Sequence, residues 1–270
     1  MRDLIDADRL PGQPPVTDRA LAAALAGRNL DGRRQVGGTE PPLVDVFLDA
    51  RRRPVGVIAY TPRPADRSAV ILWAHAREDF TTMAVLLVWA RARLAACRTW
   101  YAFAGAPATT PTLEGLPAHY RSATHQALIT SGFTTVAERL YWLHHLTRLH
   151  PPGRPADVTP VENPTGWTVR IDGPHGSSLA EARMEAPVHG TARLRHLAVD
   201  PAHRGAGLGS ALLGRCLQHA ALMGATQVIA VTDGTRSDRS AHRVLRGAAF
   251  EVIDTLEVHR RDPGVPQELV

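Results

Sequence analysis

"LAVDPAHRGAGLGSALL", residues 197–213, places three glycines and an arginine between an apolar run and a run with helical spacing. Gly205, Gly207 and Gly209 fall where a strand gives way to a helix. At such a junction successive backbone N–H groups lack partners and the helix dipole is positive, so an anion finds donors there. Glycine allows unusual backbone angles and leaves no Cβ in the path of a phosphate, while Arg204 adds a cation at the mouth. A tight turn explains one glycine; three alternating directly before a helix point to a ligand. GAGLG is not GxGxxG, and no first strand of a doubly wound sheet precedes it, so the dinucleotide fingerprint fails. All 31 basic residues are Arg and none is Lys, which excludes a Walker lysine and a lysine Schiff base. A diphosphate held by backbone N–H groups after an antiparallel meander remains.

Outward from the glycines, "WTVRID" (167–172), "SSLAEARMEA" (177–186) and "TARLRHLAV" (191–199) read as three strands. "SALLGRCLQHAALMGA" has apolar spacing of three and four and predicts a helix ending at Gly224. "TQVIAV" follows as a buried strand, "SDRSAHRVLRGAA" as a short helix capped by Ser237 or Asp238, and "FEVIDTLEV" as a last strand. The first half repeats this order: a hairpin at 44–62, a strand at 68–76, a helix at 82–96, a strand at 99–105, a short helix at 121–133 and a strand at 140–146. His125 and Leu128 precede Phe133 by the same spacing as His242 and Leu245 precede Phe250, which points to a tandem duplication. "VTDRALAAALAGR" (16–28) adds an amphipathic helix ahead of the first unit only. The expected fold class is α/β (α+β): two tandem units, each a mixed, mostly antiparallel sheet flanked by helices. Residues 1–149 form the first unit, the proline-bearing stretch 150–166 a linker, and 167–270 the second unit.

Hydrophobic residues make up 44% of the 270, enough for real cores. No apolar run approaches a membrane span and the first residues lack a signal-peptide core, so a soluble, cytoplasmic protein without membrane partners is expected. Cys97 and Cys216 lie far apart in helix-like stretches and read as small core residues, with neither a disulfide framework nor a metal site expected. Residues 151–270 hold 13 Arg and 13 acidic residues, so the net charge of +5 sits thinly in the first half. Without a basic stripe interleaved with aromatics, no nucleic-acid partner is expected.

"LAVDPAHRGAGLG" resembles the acyl-CoA motif of the GNAT superfamily of N-acetyltransferases, LxVxPxxRGxGxG, with every named position filled. The likeness extends more loosely over about 110 residues of the second half. It implies acetyl-CoA as co-substrate, with the backbone of Arg204, Gly205, Ala206, Gly207, Leu208, Gly209 and Ser210 holding the pyrophosphate. It further implies that main-chain groups of Leu197, Ala198 and Val199, on a strand splayed from its neighbour, hold the pantetheine and the thioester carbonyl. An amine then attacks acetyl-CoA directly in a ternary complex. Asp238 stands where the family commonly places an Asn that contacts the cofactor.

The catalytic positions depart from the family. Its glutamate base corresponds to Arg193, which cannot accept a proton near neutral pH, and its tyrosine acid to Leu245. Period two puts Arg193, Arg195, Leu197 and Val199 on one strand face and His196 on the other, as a core histidine rather than a base. Arg193 and Arg195 either clamp an acidic acceptor or pair with Glu181 and Glu185. Aligning Leu86 with Leu212 sets Glu78 to Met83 opposite Arg204 to Gly209; the glycines are gone and two carboxylates stand at the phosphate position. The first unit is therefore expected to keep the fold without binding CoA, and either it or a second subunit of a homodimer walls the acceptor cleft, or it only covers a sheet face. The favoured function is N-acetylation of a small-molecule primary amine. A protein or peptide acceptor, and a non-catalytic acyl-CoA sensor or scaffold, stand beside it.

Overall fold

Twelve strands and six helices are formed by the residues that the computed structural model describes, 1–28, 41–104, 113–146, 156, 159–163, 165–173, 176–234 and 239–264. By its contacts the chain divides into two lobes. Met1–Leu10, Pro15–Arg139 and Asp254–Val270 make the first, and Pro11–Pro14 with Leu140–Ile253 the second.

In the first lobe, helices α1 (Arg2–Ala7) and α2 (Asp18–Leu25) precede the hairpin β1 (Leu43–Leu48) and β2 (Pro54–Arg63). Asp49 closes that hairpin by accepting from the N–H groups of Arg51 and Arg53 at 2.9 and 2.8 Å. β3 (Ser68–His75) pairs antiparallel with β2 and parallel with β4 (Thr99–Ala102), with α3 (Phe80–Arg93) as the crossover between β3 and β4. Every residue of β3 is buried, as expected for an apolar run in a strand covered on both faces. β5 (Leu116–Pro117), α4 (Ser122–Thr130) and β6 (Thr134–His145) follow, and β12 (Glu251–Arg261) pairs antiparallel with β5 at Leu256 and Glu257 and with β4 at His259 to Arg261. In the second lobe, β7 (Val161–Asn163), β8 (Gly166–Asp172), β9 (Ser178–Val188) and β10 (Thr191–Val199) form an antiparallel meander. α5 (Leu208–Leu222) then crosses to β11 (Gln227–Asp233), which runs parallel to β10 and is followed by α6 (Arg239–Gly247). Each lobe is thus a mixed, mostly antiparallel sheet flanked by helices. Among the described residues no helix is long and apolar enough to cross a membrane.

The second lobe's core joins Trp142, Trp167, Leu212, Leu213, Leu217 and Phe250 around Cys216, whose thiol burial pushes up to about 12. A thiol so desolvated is inert packing. α1, β5 and β7 were not anticipated; β7 falls inside 150–166, and its three residues are all exposed, so apolar periodicity has nothing to register. β6 begins at Thr134 rather than Leu140 because its first five residues are exposed and carry no apolar alternation.

The first lobe encloses a charged cluster. His75 Nδ1 lies 3.1 Å from Asp8, and Arg121 reaches the same carboxylate at 3.3 Å. Burial, with the Arg121 charge adding to it, pushes His75 down to about 4. In the unfolded chain this imidazole titrates near its usual value of about 6.5. The unfolded state therefore takes up a proton that the folded state refuses between these two values, and stability present above pH 6.5 is lost as pH falls towards 4. The shift corresponds to roughly 3 kcal/mol. Urea unfolding midpoints should drop steeply between pH 6.5 and 4.5 and drop less in His75→Gln; equal slopes for both proteins would contradict the assignment.

Candidate functional site

The site grows from the end of β10. On one side β10 stays paired with β9 up to Val199, opposite Ala180. On the other its parallel pairing with β11 stops at Leu194, opposite Ala230, although β11 runs on to Asp233. The two strands diverge beyond these residues, and among the described residues no strand pairs with the last β10 residues on that side.

A bulge sits at the point of divergence. Leu194 is opposite Met184 and His196 opposite Arg183, so Arg195 is the extra residue. The bulge breaks the strict period two expected for this strand. Ala192 and Leu194 face the core, and after the bulge Leu197 and Val199 take up packing against it. Arg193 therefore faces away from the core while Leu197 packs towards it, and His196 is exposed rather than a core histidine. Arg195 Nε lies 3.3 Å from Glu185, whereas Glu181 engages Arg170 and Arg183 instead.

Beyond Val199 the chain turns through Pro201–His203, a short 3-10 turn capped by Asp200, whose carboxylate accepts from Ala202 N–H at 2.8 Å. That bond and a contact to His203 hold the Asp200 carboxyl below its ordinary range, as an anion committed to the turn. Arg204 Nε reaches the Val199 carbonyl at 3.3 Å. Gly205 and Gly207 then adopt left-handed φ of +85° and +80°. A Cβ built at either would meet no atom of the described residues within 4 Å, so both present bare backbone to the cleft. Gly209 differs: it is buried at ordinary φ, and a Cβ there would touch Val199 and Val244 at 3.4 and 3.5 Å. The second glycine's role is thus the turn into the helix, and the third's is packing of helix against strand.

Gly207 is the N-cap of α5, and no side chain caps the helix. The first-turn N–H groups therefore face a cleft of about 420 Å³, lined among others by Leu197, Val199, Arg204, Ser210 and Arg243. Of the residues 197–199 and 204–210 expected from the motif, all but Ala206 line this cleft. His203, Ser240, Ala241, Arg243 and Val244 also line it and were not anticipated. The four from α6 are remote in sequence from the glycines, and only the cationic Arg243 carried a signal. Asp238 lies outside the described residues. Leu245 is buried in the core, so no acid stands at that position. At the tip of β11, His242 Nε2–H donates to the Asp233 carbonyl at 3.0 Å, and Trp142 Nε1–H donates to Thr232 at 2.9 Å.

The matching place in the first lobe is built differently. The N-cap of α3 is Asp79, whose own carboxylate accepts from Thr82 N–H at 2.7 Å. Glu78 accepts from Arg121 Nε and from the N–H groups of Ala123 and Thr124, at 3.1, 2.9 and 3.1 Å. Arg121 in turn donates to the Ala74 carbonyl near the end of β3 at 2.7 Å. At the start of α3 the lobe's own Asp79 takes the Thr82 donor, where α5 has no side-chain cap, and Glu78 takes donors at the start of α4.

Residues 140–250 match the model of the acetyltransferase (GNAT) family. A tandem GNAT protein from the clavulanic acid biosynthesis pathway superposes with a TM-score of 0.61 at 15% identity, covering 96% of this chain and 94% of that one. A GCN5-related N-acetyltransferase from Sphaerobacter thermophilus gives 0.59 at 14% identity, covering 93% and 94%. One from Kribbella flavida gives 0.50 at 20%, covering 78% and 87%. At these identities the likeness is one of fold. No curated protein matches the sequence.

Proposed function

From residues 140–250 as a domain of the acetyltransferase (GNAT) family, in a chain folded as a tandem of such units, we propose N-acetyl transfer from acetyl-CoA to a primary amine. The observation that carries the reading is the coincidence, in one cleft, of the β10–β11 divergence with the uncapped start of α5. The bare backbone at Gly205 and Gly207 fits a diphosphate, since a Cβ at either would project into the space it needs. Leu208, Gly209 and Ser210 supply N–H groups, and Arg204 and Arg243 supply charge. Leu197, Ala198 and Val199 offer main-chain groups along the open edge to the pantetheine. Acetyl-CoA brings an acyl carbon already activated towards amines. The protein's contribution is then mainly positioning and main-chain polarisation of the carbonyl.

Proton transfer has no dedicated side chain at the family's positions, because Arg193 accepts no proton and Leu245 is apolar. An amine that arrives uncharged needs little base catalysis; as its C–N bond forms, the thioester C–S bond breaks, and the amine's proton passes through water to the departing CoA thiolate. A small molecule is the acceptor class we favour, with Arg193 beside the divergence suited to an acidic one. The first lobe is read as fold without cofactor. The absence of base and acid also supports a second reading, a non-catalytic acyl-CoA sensor.

A CoA-release assay over amines, amino acids and peptides, run beside calorimetry with acetyl-CoA, tests these. Turnover with small amines supports the proposal, tight binding without turnover supports the sensor, and absence of binding overturns both. Arg243→Ala should weaken acetyl-CoA by roughly tenfold, the loss of about 1.5 kcal/mol from one charged hydrogen bond. Unchanged affinity would remove Arg243 from the site.

A further inference from the structure

Away from the cleft, the first lobe brings together His125 of α4 with Glu257 and His259 of β12. Glu257 and His259 are two apart on one strand and so share a face. Glu257 Oε2 lies 3.2 Å from His125 Nε2 and 3.2 Å from His259 Nε2. All three ligand atoms lie within 4.8 Å of one another. His259 is fully buried, at 0% exposure, and neither of its ring nitrogens makes a hydrogen bond of good geometry. A buried imidazole aimed at a carboxylate without completing a hydrogen bond calls for a partner.

We infer that His125, Glu257 and His259 bind a divalent transition ion of the zinc class. Zinc takes imidazole nitrogen at about 2.0–2.1 Å and carboxylate oxygen at about 2.0–2.2 Å, which in a tetrahedron sets ligand atoms about 3.3–3.5 Å apart. Two of the three edges already stand close to that spacing, and the third is no longer than 4.8 Å. Thr135 donates to Glu257 Oε2 at 2.7 Å, the kind of outer partner that fixes a ligating carboxylate. His125 is about one-third exposed, which gives the ion a way in and leaves a fourth position for water.

The duplication supplies an internal control. The spacing that relates His125 to His242 relates Glu257 to Leu140 and His259 to Trp142. The geometry is kept: the His125 and His259 rings are 5.4 Å apart, and those of His242 and Trp142 are 5.5 Å apart. The fold therefore accepts a leucine and a tryptophan at these places and does not itself require a carboxylate and an imidazole. The expectation of no metal rested on the cysteines, and these histidines are too far apart in sequence for ligand spacing to be noticed.

Calorimetry of the chelator-treated full chain with zinc chloride tests the site. One ion per chain is expected, with affinity falling by more than about 100-fold in His125→Ala and in Glu257→Leu, beyond the cost of losing an outer partner. Thr135→Val should lose about tenfold. Cobalt(II) should give the visible absorption of a tetrahedral site in the parent chain and lose it in His125→Ala. No zinc binding, or binding unchanged in His125→Ala, overturns the inference; because His125 is partly exposed, that variant should fold, and circular dichroism checks it.

Discussion

Gly207→Val should lower acetyl-CoA affinity by at least about 100-fold while the chain stays folded. Two effects add. Gly207 has φ of +80°, where a β-branched residue is a steric outlier costing on the order of 1–3 kcal/mol. The loop relieves that strain by moving, which displaces the first-turn N–H groups of α5. The new side chain also enters the space over those donors, because a Cβ at this place meets no atom of the described residues within 4 Å. The same openness protects the fold, since nothing in the core is displaced. Far-ultraviolet circular dichroism and urea unfolding should stay within a few kcal/mol of the parent, and calorimetry should lose the acetyl-CoA signal. Gly209→Ala is the informative neighbour. Its Cβ would make only ordinary contacts with Val199 and Val244, so affinity should change much less. Parent-like affinity in Gly207→Val would separate the glycine loop from cofactor binding altogether.

The glycine loop was legible because backbone chemistry is written in residue type. Left-handed φ at Gly205 and Gly207 and the entry into α5 follow from where glycine is required. The strands of the β8 to β10 meander, the α5 helix and β11 as a buried strand were legible too, from alternation and helical spacing, whereas the parallel pairing of β11 with β10 was not. The bulge at Arg195 was not. One extra residue leaves composition unchanged but reverses every later side chain, which moved His196 from the core to solvent and Leu197 onto the core. Strand neighbours were equally hidden: β12 reads as the end of the second unit, yet its residues from Asp254 onward belong by contact to the first lobe. Local periodicity says that a segment is a strand, not which edge it joins. The α6 residues of the cleft and the His125, Glu257 and His259 cluster were missed for the same reason, because each joins residues remote in the chain.

Glu78→Ala should destabilise the protein by about 3–5 kcal/mol, the cost of removing one partner of a largely buried ion pair. Glu78 is partly buried and receives four hydrogen bonds, from Arg121 Nε, the N–H groups of Ala123 and Thr124, and Thr124 Oγ1. Arg121 is 3% exposed and would keep its charge with only Asp8 at 3.3 Å to balance it. α4 would also lose the acceptor at its N-terminus, where Arg121 as N-cap provides no side-chain bond. Arg77 and Glu78 both hold left-handed φ, of 51° and 54°, without being glycine. That strain persists because Glu78's bonds fix the turn, so the opposite change can be made next door. Arg77 is exposed, and Arg77→Gly should stabilise by up to about 1 kcal/mol by releasing the strained angle. Urea unfolding of the two variants should therefore move in opposite directions, while acetyl-CoA affinity stays at the parent value in Arg77→Gly, since this turn occupies the first lobe's own helix starts and serves no cofactor. A stable Glu78→Ala would mean that water replaces the carboxylate, and an altered affinity in Arg77→Gly would return a binding role to the first lobe.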